Sequence, residues 1–303
     1  MAVYVVGDFL RETRMRKGYT QEEVSYGICT AASLSRIENG AQKPGRLIME
    51  KLFERLGTEN NLFNSFVSRE EMELYSAIQE LIRNVTDAEI DKIYKQILIV
   101  EKLTENTSDL ERQCLLFAKG ELIKRKEKDY STAIEWLMTA IHITLPDFDG
   151  ENPLRNNLLT FDEIMIINGI AILHAKSGNV MTAIQLDMWL KEYMEDKIVD
   201  GTMKKAKYPM IIYNLSNWFG NKQCHTEALK LADEGINFCV KYGNLVILPS
   251  LILNKGVALV ELGDIDDARK YLHQAITIFD VMKKEETIQS VLDWCKTRYN
   301  LEI

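Results

Sequence analysis

Two sets of polar side chains in this chain carry types and spacings that could do chemistry. The first lies between Thr20 and Pro44, in the string TQEEVSYGICTAASLSRIENGAQKP. There Thr20, Gln21, Ser33, Arg36, Asn39 and Lys43 bring hydroxyl, amide, guanidinium and ammonium groups into one short stretch. The second is a recurring asparagine, at Asn168, Asn214 and Asn254, with Tyr213, Asn217 and Lys255 beside it. A carboxamide both donates and accepts, so a row of them suits the N–H and C=O groups of an extended peptide. Neither set is catalytic by type. The four histidines, His142, His174, His225 and His273, are isolated, and no HExxH, GxSxG or phosphate-binding glycine loop occurs. The five cysteines are widely spaced without a CxxC pair, which suits reduced thiols better than a disulfide or zinc framework. DFDGE at 147–151 lacks the full ligand spacing of a calcium loop. We expect no enzymatic activity, no metal and no cofactor.

The elements that must position the first set follow from helix chemistry. An amphipathic helix is predicted over Asp8–Lys17, with Phe9, Leu10, Thr13 and Met15 near its apolar side and Gly18 ending it. Thr20 caps the next helix, with Glu23 as its capping-box partner, and Val24 and Ile28 facing a core. The chain turns through Cys29–Ala31. A helix over Ala32–Asn39 follows, anchored by Leu34 and Ile37 and stopped by Gly40. After Pro44 a further helix, about Arg46–Leu56, closes the small core with Leu47, Ile48, Leu52 and Leu56.

Gln21-Glu22-Glu23 followed by Ser35-Arg36-Ile37-Glu38-Asn39-Gly40 resembles the lambda-repressor-like helix-turn-helix family. The resemblance implies sequence-specific binding of double-stranded DNA. It places Gln21 against the phosphate backbone, beside Thr20 at a helix N-terminus that favours anions. It maps the base-reading positions onto Ala31, Ala32, Ser33 and Arg36, with Ser33 and Arg36 doing most of the polar reading. Asn39 and Lys43 would hold phosphates beyond the helix. Arg14 and Glu38 align with a structural ion pair joining the first helix to the recognition helix.

Beyond a polar stretch read as a linker, residues 58–69, the pattern stays helical. Capping boxes are expected at Thr86 with Glu89, Ser108 with Glu111 and Thr160 with Glu163. Self-comparison then finds repeats. Asn254–Ala268 fits the tetratricopeptide pattern, Tyr213–Ala228 is a second copy, Asn168–Ala183 a third and Gly120–Ala133 a looser fourth. The second-helix alanines fall at Ala133, Ala183, Ala228 and Ala268, where adjacent helices must approach closely. The expected fold is therefore all-α, an N-terminal helix-turn-helix domain (1–57) followed by a tetratricopeptide-like right-handed helical solenoid (70–303). In such a solenoid the first helix of each hairpin lines a concave face. This architecture resembles peptide-pheromone-responsive transcription regulators of the PlcR and Rgg type. The resemblance implies a cytoplasmic homodimer on a palindromic operator, with a short signalling peptide held by Asn168, Tyr213, Asn214, Asn217, Asn254 and Lys255.

Charge agrees with that division. The net charge is −8, but residues 1–68 hold 9 Lys+Arg against 8 Asp+Glu, or +1, leaving −9 for the remainder. A nearly neutral reader gains affinity by acting in pairs. No apolar run is long enough to span a bilayer, and the N-terminus lacks a secretory pattern, so no membrane partner is expected. Two rival functions stay open: a repeat adaptor tethered to DNA, and a repeat regulator acting on a response-regulator partner.

Overall fold

Helical periodicity and capping chemistry account for the elements of this chain. The computed structural model describes residues 6–58, 69–85, 88–104, 108–154, 158–197 and 201–299, and all regular structure among them is helical. The helices are α1 (Val6–Lys17), α2 (Gln21–Ser25), α3 (Ala31–Glu38), α4 (Arg46–Arg55), α5 (Arg69–Asn84), α6 (Ile90–Leu103), α7 (Asp109–Lys126) and α8 (Tyr130–Ile141). They continue as α9 (Phe161–Lys176), α10 (Val180–Asp196), α11 (Gly201–Asn221), α12 (His225–Tyr242), α13 (Leu248–Leu262), α14 (Ile265–Val281) and α15 (Glu285–Tyr299).

Reciprocal capping boxes form at Thr20 with Glu23, Ser108 with Glu111 and Thr160 with Glu163. The box expected at Thr86 lies outside the described residues, as does nearly all of the 58–69 linker; α6 begins at Ile90 with Glu89 as its cap. Three details at the N-terminus differ from the sequence reading. Helix α1 is already formed at Val6, two residues ahead of Asp8. Met15 is 60% exposed, because it lies five residues after the buried Leu10 and so on the far side of α1. Helix α3 begins at Ala31, because the Thr30 side chain caps it by accepting from the Ser33 N–H.

The chain divides into two compact units, residues 1–201 and 202–303. In the first, α1–α4 surround a core of Leu10, Val24, Leu34, Leu52, Phe53 and Leu56, all fully buried. Leu110 and Leu158 join the same core from later in the chain. Helices α7 to α10 then pack successively, each on its neighbour. Small residues set their spacing: a Cβ added to Gly120 would lie 2.2 Å from one methyl of Leu137, and one added to Gly169 would lie 2.8 Å from the other. In the second unit α12, α13, α14 and α15 pack in the same manner, with Gly256 equally tight against Leu272. The alanines picked out by the repeat, Ala133, Ala183, Ala228 and Ala268, are all buried.

A dry polar joint fastens α4 to the first turn of α9. Arg55 Nη2 lies 2.7 Å from Glu163 Oε1, with neither side chain exposed to solvent. Arg55 Nη1 also donates to the Tyr26 carbonyl. Lys51 Nζ reaches Asp162 at 2.9 Å, Glu54 at 3.0 Å and Glu50 at 3.8 Å. The other oxygen of Glu54 accepts from the Phe161 N–H at 2.9 Å. Nearby, Tyr26 donates to Asp147 at 2.8 Å. Gly27 lies so close to Thr144 that an added Cβ would be 2.1 Å from its carbonyl oxygen. Burial opposes the charge on Lys51, but Asp162, Glu54 and Glu50 together outweigh it and hold its pKa well above normal. Burial, reinforced by Asp162 and Glu50 against the pull of Lys51, pushes Glu54 up to about 7.

Two outcomes follow from this packing. Gly120→Ala forces Leu137 from a filled site between two helices and should lower stability by about 1–3 kcal/mol, the usual cost of overpacking, read from thermal unfolding. Glu54 binds its proton more tightly folded than unfolded. Its contribution to stability is therefore full below its ordinary carboxylate pKa and is lost as pH rises toward about 7. Glu54→Gln should accordingly raise the melting temperature more at pH 8 than at pH 5, and an equal effect at both would refute the assignment.

Candidate nucleic-acid interface and ligand groove

Glu38 organises the N-terminal unit. Its carboxylate is almost wholly buried, and both oxygens are engaged by Arg14, at 2.6 Å from Nε and 2.9 Å from Nη2. Such a two-pronged pairing fixes orientation as well as distance. Arg14 Nη1 donates to the Tyr19 carbonyl at 2.8 Å, and the hydrogen bond to Glu38 holds its pKa raised. Gln21 Nε2 adds a third donor to Glu38 at 2.7 Å. One carboxylate on α3 thus ties down α1 and the start of α2.

The remaining residues of the first set lie around this tie. Thr20 is committed to its capping box, its N–H donating to Glu23 Oε2 at 2.7 Å and its hydroxyl to the same oxygen at 2.9 Å. Those hydrogen bonds, the backbone one first, hold the Glu23 carboxyl below its usual range, so this helix terminus already carries an anion. On α3, Ala32 and Arg36 are exposed and Ala31 and Ser33 are half-buried. The Ser33 hydroxyl accepts from Thr30 at 3.0 Å, which leaves its own proton to donate. Arg36 makes no ion pair among the described residues. Asn39 bonds the Ser35 carbonyl at 2.9 Å, and Lys43 is exposed beyond the helix.

Thr20, Gln21, Ala31 and Asn39 line one shallow depression together with Arg11, Met15 and Ser35. The last three were not identified from sequence. Arg11 had a signal, since it stands three residues before Arg14 and therefore on the same side of α1. Its Nη1 is 3.5 Å from Asn39 Oδ1, linking α1 to the end of α3.

The second set separates. In the second unit, α11, α13 and α15 frame a cavity of about 700 Å³. Tyr213, Asn217 and Asn254 line it, with Asn254 Nδ2 donating to the Tyr213 carbonyl at 3.3 Å. Asn214 is buried and does not line it. Lys255 turns away, bonded to Asp233 and lying 4.0 Å from the Tyr271 ring centroid. Asn168 belongs to the first unit, where it is buried and donates to both oxygens of Asp187 at 3.1 Å. It braces α9 against α10. The cavity's other walls were not read from sequence: Leu253, Val257, Val291 and Trp294 are its apolar surface, and His225, Glu261 and Arg298 its charged end. Helix α15 lies beyond the last recognisable repeat, although Trp294 and Arg298, four apart, share a helical face. Among the described residues, no group of three or more His, Cys, Asp or Glu side chains could hold a metal ion, and no helix is long and apolar enough to cross a membrane.

Comparison with known proteins fits this division. Residues 5–65 match the helix-turn-helix domain family. An uncharacterized HTH-type transcriptional regulator of Bacillus subtilis (strain 168), YqaF, is 37% identical over 67 residues, which are 20% of this chain and 83% of that protein. The crystal structure of Bacillus thuringiensis PlcR in complex with the peptide PapR7 and DNA matches with a TM-score of 0.64 at 18% identity, over 95% of this chain and 98% of that one. The apo form of PlcR matches over the same extents with a TM-score of 0.60. At this identity the likeness shows the fold, a helix-turn-helix followed by helical repeats. The kinship of the reader itself, together with its Glu38-centred geometry, places the chain in the family of helix-turn-helix-type transcriptional regulators.

Proposed function

We propose that this protein is a cytoplasmic, non-enzymatic, peptide-gated transcription regulator. As a homodimer it reads a palindromic DNA site with α3 and binds a short signalling peptide in the groove of its second unit. The groove carries the reading. A volume of about 700 Å³ lies within the roughly 300–1,000 Å³ usual for small-ligand sites, which favours a short peptide over a folded partner. Its walls combine apolar surface and Tyr213 with the side-chain amides of Asn217 and Asn254, a lining able to grip side chains and backbone together. PlcR, whose fold this chain shares, has been crystallised with a peptide and DNA, which supports the same assignment.

On DNA, Arg36 and Ser33 would read base edges, and Ala31 and Ala32 would offer methyl contacts to thymine. Gln21, Asn39 and Lys43 would face phosphates, whereas Thr20, whose N–H and hydroxyl are both given to Glu23, starts α2 instead of holding one, and the Arg14–Glu38 pair holds the helices at their angle. Peptide can control this binding only if it prefers one of two arrangements of the dimer.

Arg36→Ala should cost about 1–3 kcal/mol of specific affinity and relax preference at one base position; an unchanged footprint would remove Arg36 from the reading surface. Asn217→Ala and Asn254→Ala should each weaken capture of short synthetic peptides in a mass-spectrometric screen without altering the melting profile. Failure of the parent protein to retain any peptide would overturn the proposal.

A further inference from the structure

The charged end of the groove is built from α13 and the last turn of α15. Arg298 Nη2 donates to Glu261 Oε1 at 3.1 Å, and the Tyr299 hydroxyl donates to the same oxygen. His225 Nε2 stands 3.9 Å from the other oxygen of Glu261. The Arg298 guanidinium lies 5.5 Å from the Tyr299 ring centroid and 5.9 Å from that of Trp294. The cation is therefore held in place by one carboxylate and two aromatic rings, while 61% of its side chain stays exposed.

The balance of used and unused capacity decides what such an end can bind. Glu261 is served by Arg298, Tyr299 and His225, so it is a poor site for a peptide's amino group. A guanidinium offers five N–H donors, and Arg298 has given only one to a partner among the described residues. Its planar fork matches the two oxygens of a carboxylate. Immediately beside it Trp294, Val291 and Val257 offer an apolar wall.

We propose that this end of the groove captures a carboxylate of the bound peptide on Arg298, with an adjacent apolar side chain against Trp294, Val291 and Val257. This rests on the peptide reading of the groove and adds to it the ligand's register and chemical class. The carboxylate is either the free C-terminus or an Asp or Glu side chain, since both present the same pair of oxygens.

The test uses the full chain and a mass-encoded library of random hexapeptides made in four forms: with free or amidated C-termini, each with or without Asp and Glu. Peptides bearing a carboxylate should be retained at least about tenfold better than amidated peptides lacking acids, the worth of one charge-assisted hydrogen bond. Preference for the free terminus or for the acidic residue identifies the source. Arg298→Gln should abolish the preference while leaving the melting temperature unchanged, and Arg298→Lys should retain part of it. Equal retention of all four forms by the parent, or a preference that survives Arg298→Gln, would overturn the carboxylate assignment yet leave peptide binding standing. Retention of none would instead remove the peptide reading beneath it.

Discussion

The packing of Arg55 and Lys51 against the first turn of α9 is the constraint on which the N-terminal unit depends. Two cations and four carboxylates share a region almost closed to water. Charges so placed add little net stability over an apolar equivalent, because removing them from water costs about what their attraction returns. What they add is direction. A greasy contact between α4 and α9 could slide by a residue, whereas Arg55 finds Glu163, and Glu54 finds the Phe161 N–H, in one register only. Glu163 also completes the capping box of α9, so the chemistry that starts this helix is the chemistry that fastens the reader to it.

Within the reader, Glu38 performs a similar task on a smaller scale. Its buried carboxylate takes three donors from two side chains, and α1, α2 and α3 are fixed relative to one another. On the proposed function, the consequence for DNA is indirect. Arg36, two residues earlier on α3, can remain exposed, with no ion pair among the described residues, because the helix that carries it is held from its other side. Rigid support beneath and unused hydrogen-bonding capacity above are what a sequence reader needs, since contacts must be positioned before bases can discriminate.

Much of this was legible in the sequence because it is encoded locally. Thr20, Ser108 and Thr160 announce helix starts three residues ahead of a glutamate, and the alanines and glycines of the repeat announce close helix approach. The second-helix alanines are buried because the periodicity that reveals them is itself a packing requirement. The asparagines were harder. Asn168, Asn214 and Asn254 look equivalent in a repeat alignment, yet a residue's direction depends on helix phase. A drift of one or two positions turns Asn168 onto Asp187 and into the interior. The joint between α4 and α9 was not legible: Arg55 and Glu163 are 108 residues apart, nothing local distinguishes Arg55 from an ordinary surface charge, and the capping role of Glu163 does not reveal a second partner. The groove's charged end was hidden for a related reason, since α15 carries no repeat signature.

The same joint limits how a ligand could govern the reader. Parting α4 from α9 would break the Arg55–Glu163 and Lys51–Asp162 pairs and the Glu54 bond to the Phe161 N–H together, because all three lie in the same register. Shifting a population from one state almost wholly to another already requires a difference of about 5.5 kcal/mol in ligand binding. A ligand that also had to part α4 from α9 would need a larger preference still, since those contacts would all have to be given up at once. Helices α1–α4 and α9 are therefore expected to move as one body. On the proposed function, control of DNA binding acts on how two such bodies are placed in a dimer, because the spacing of half-sites along the duplex can be missed by a small rotation that breaks no buried charge pair.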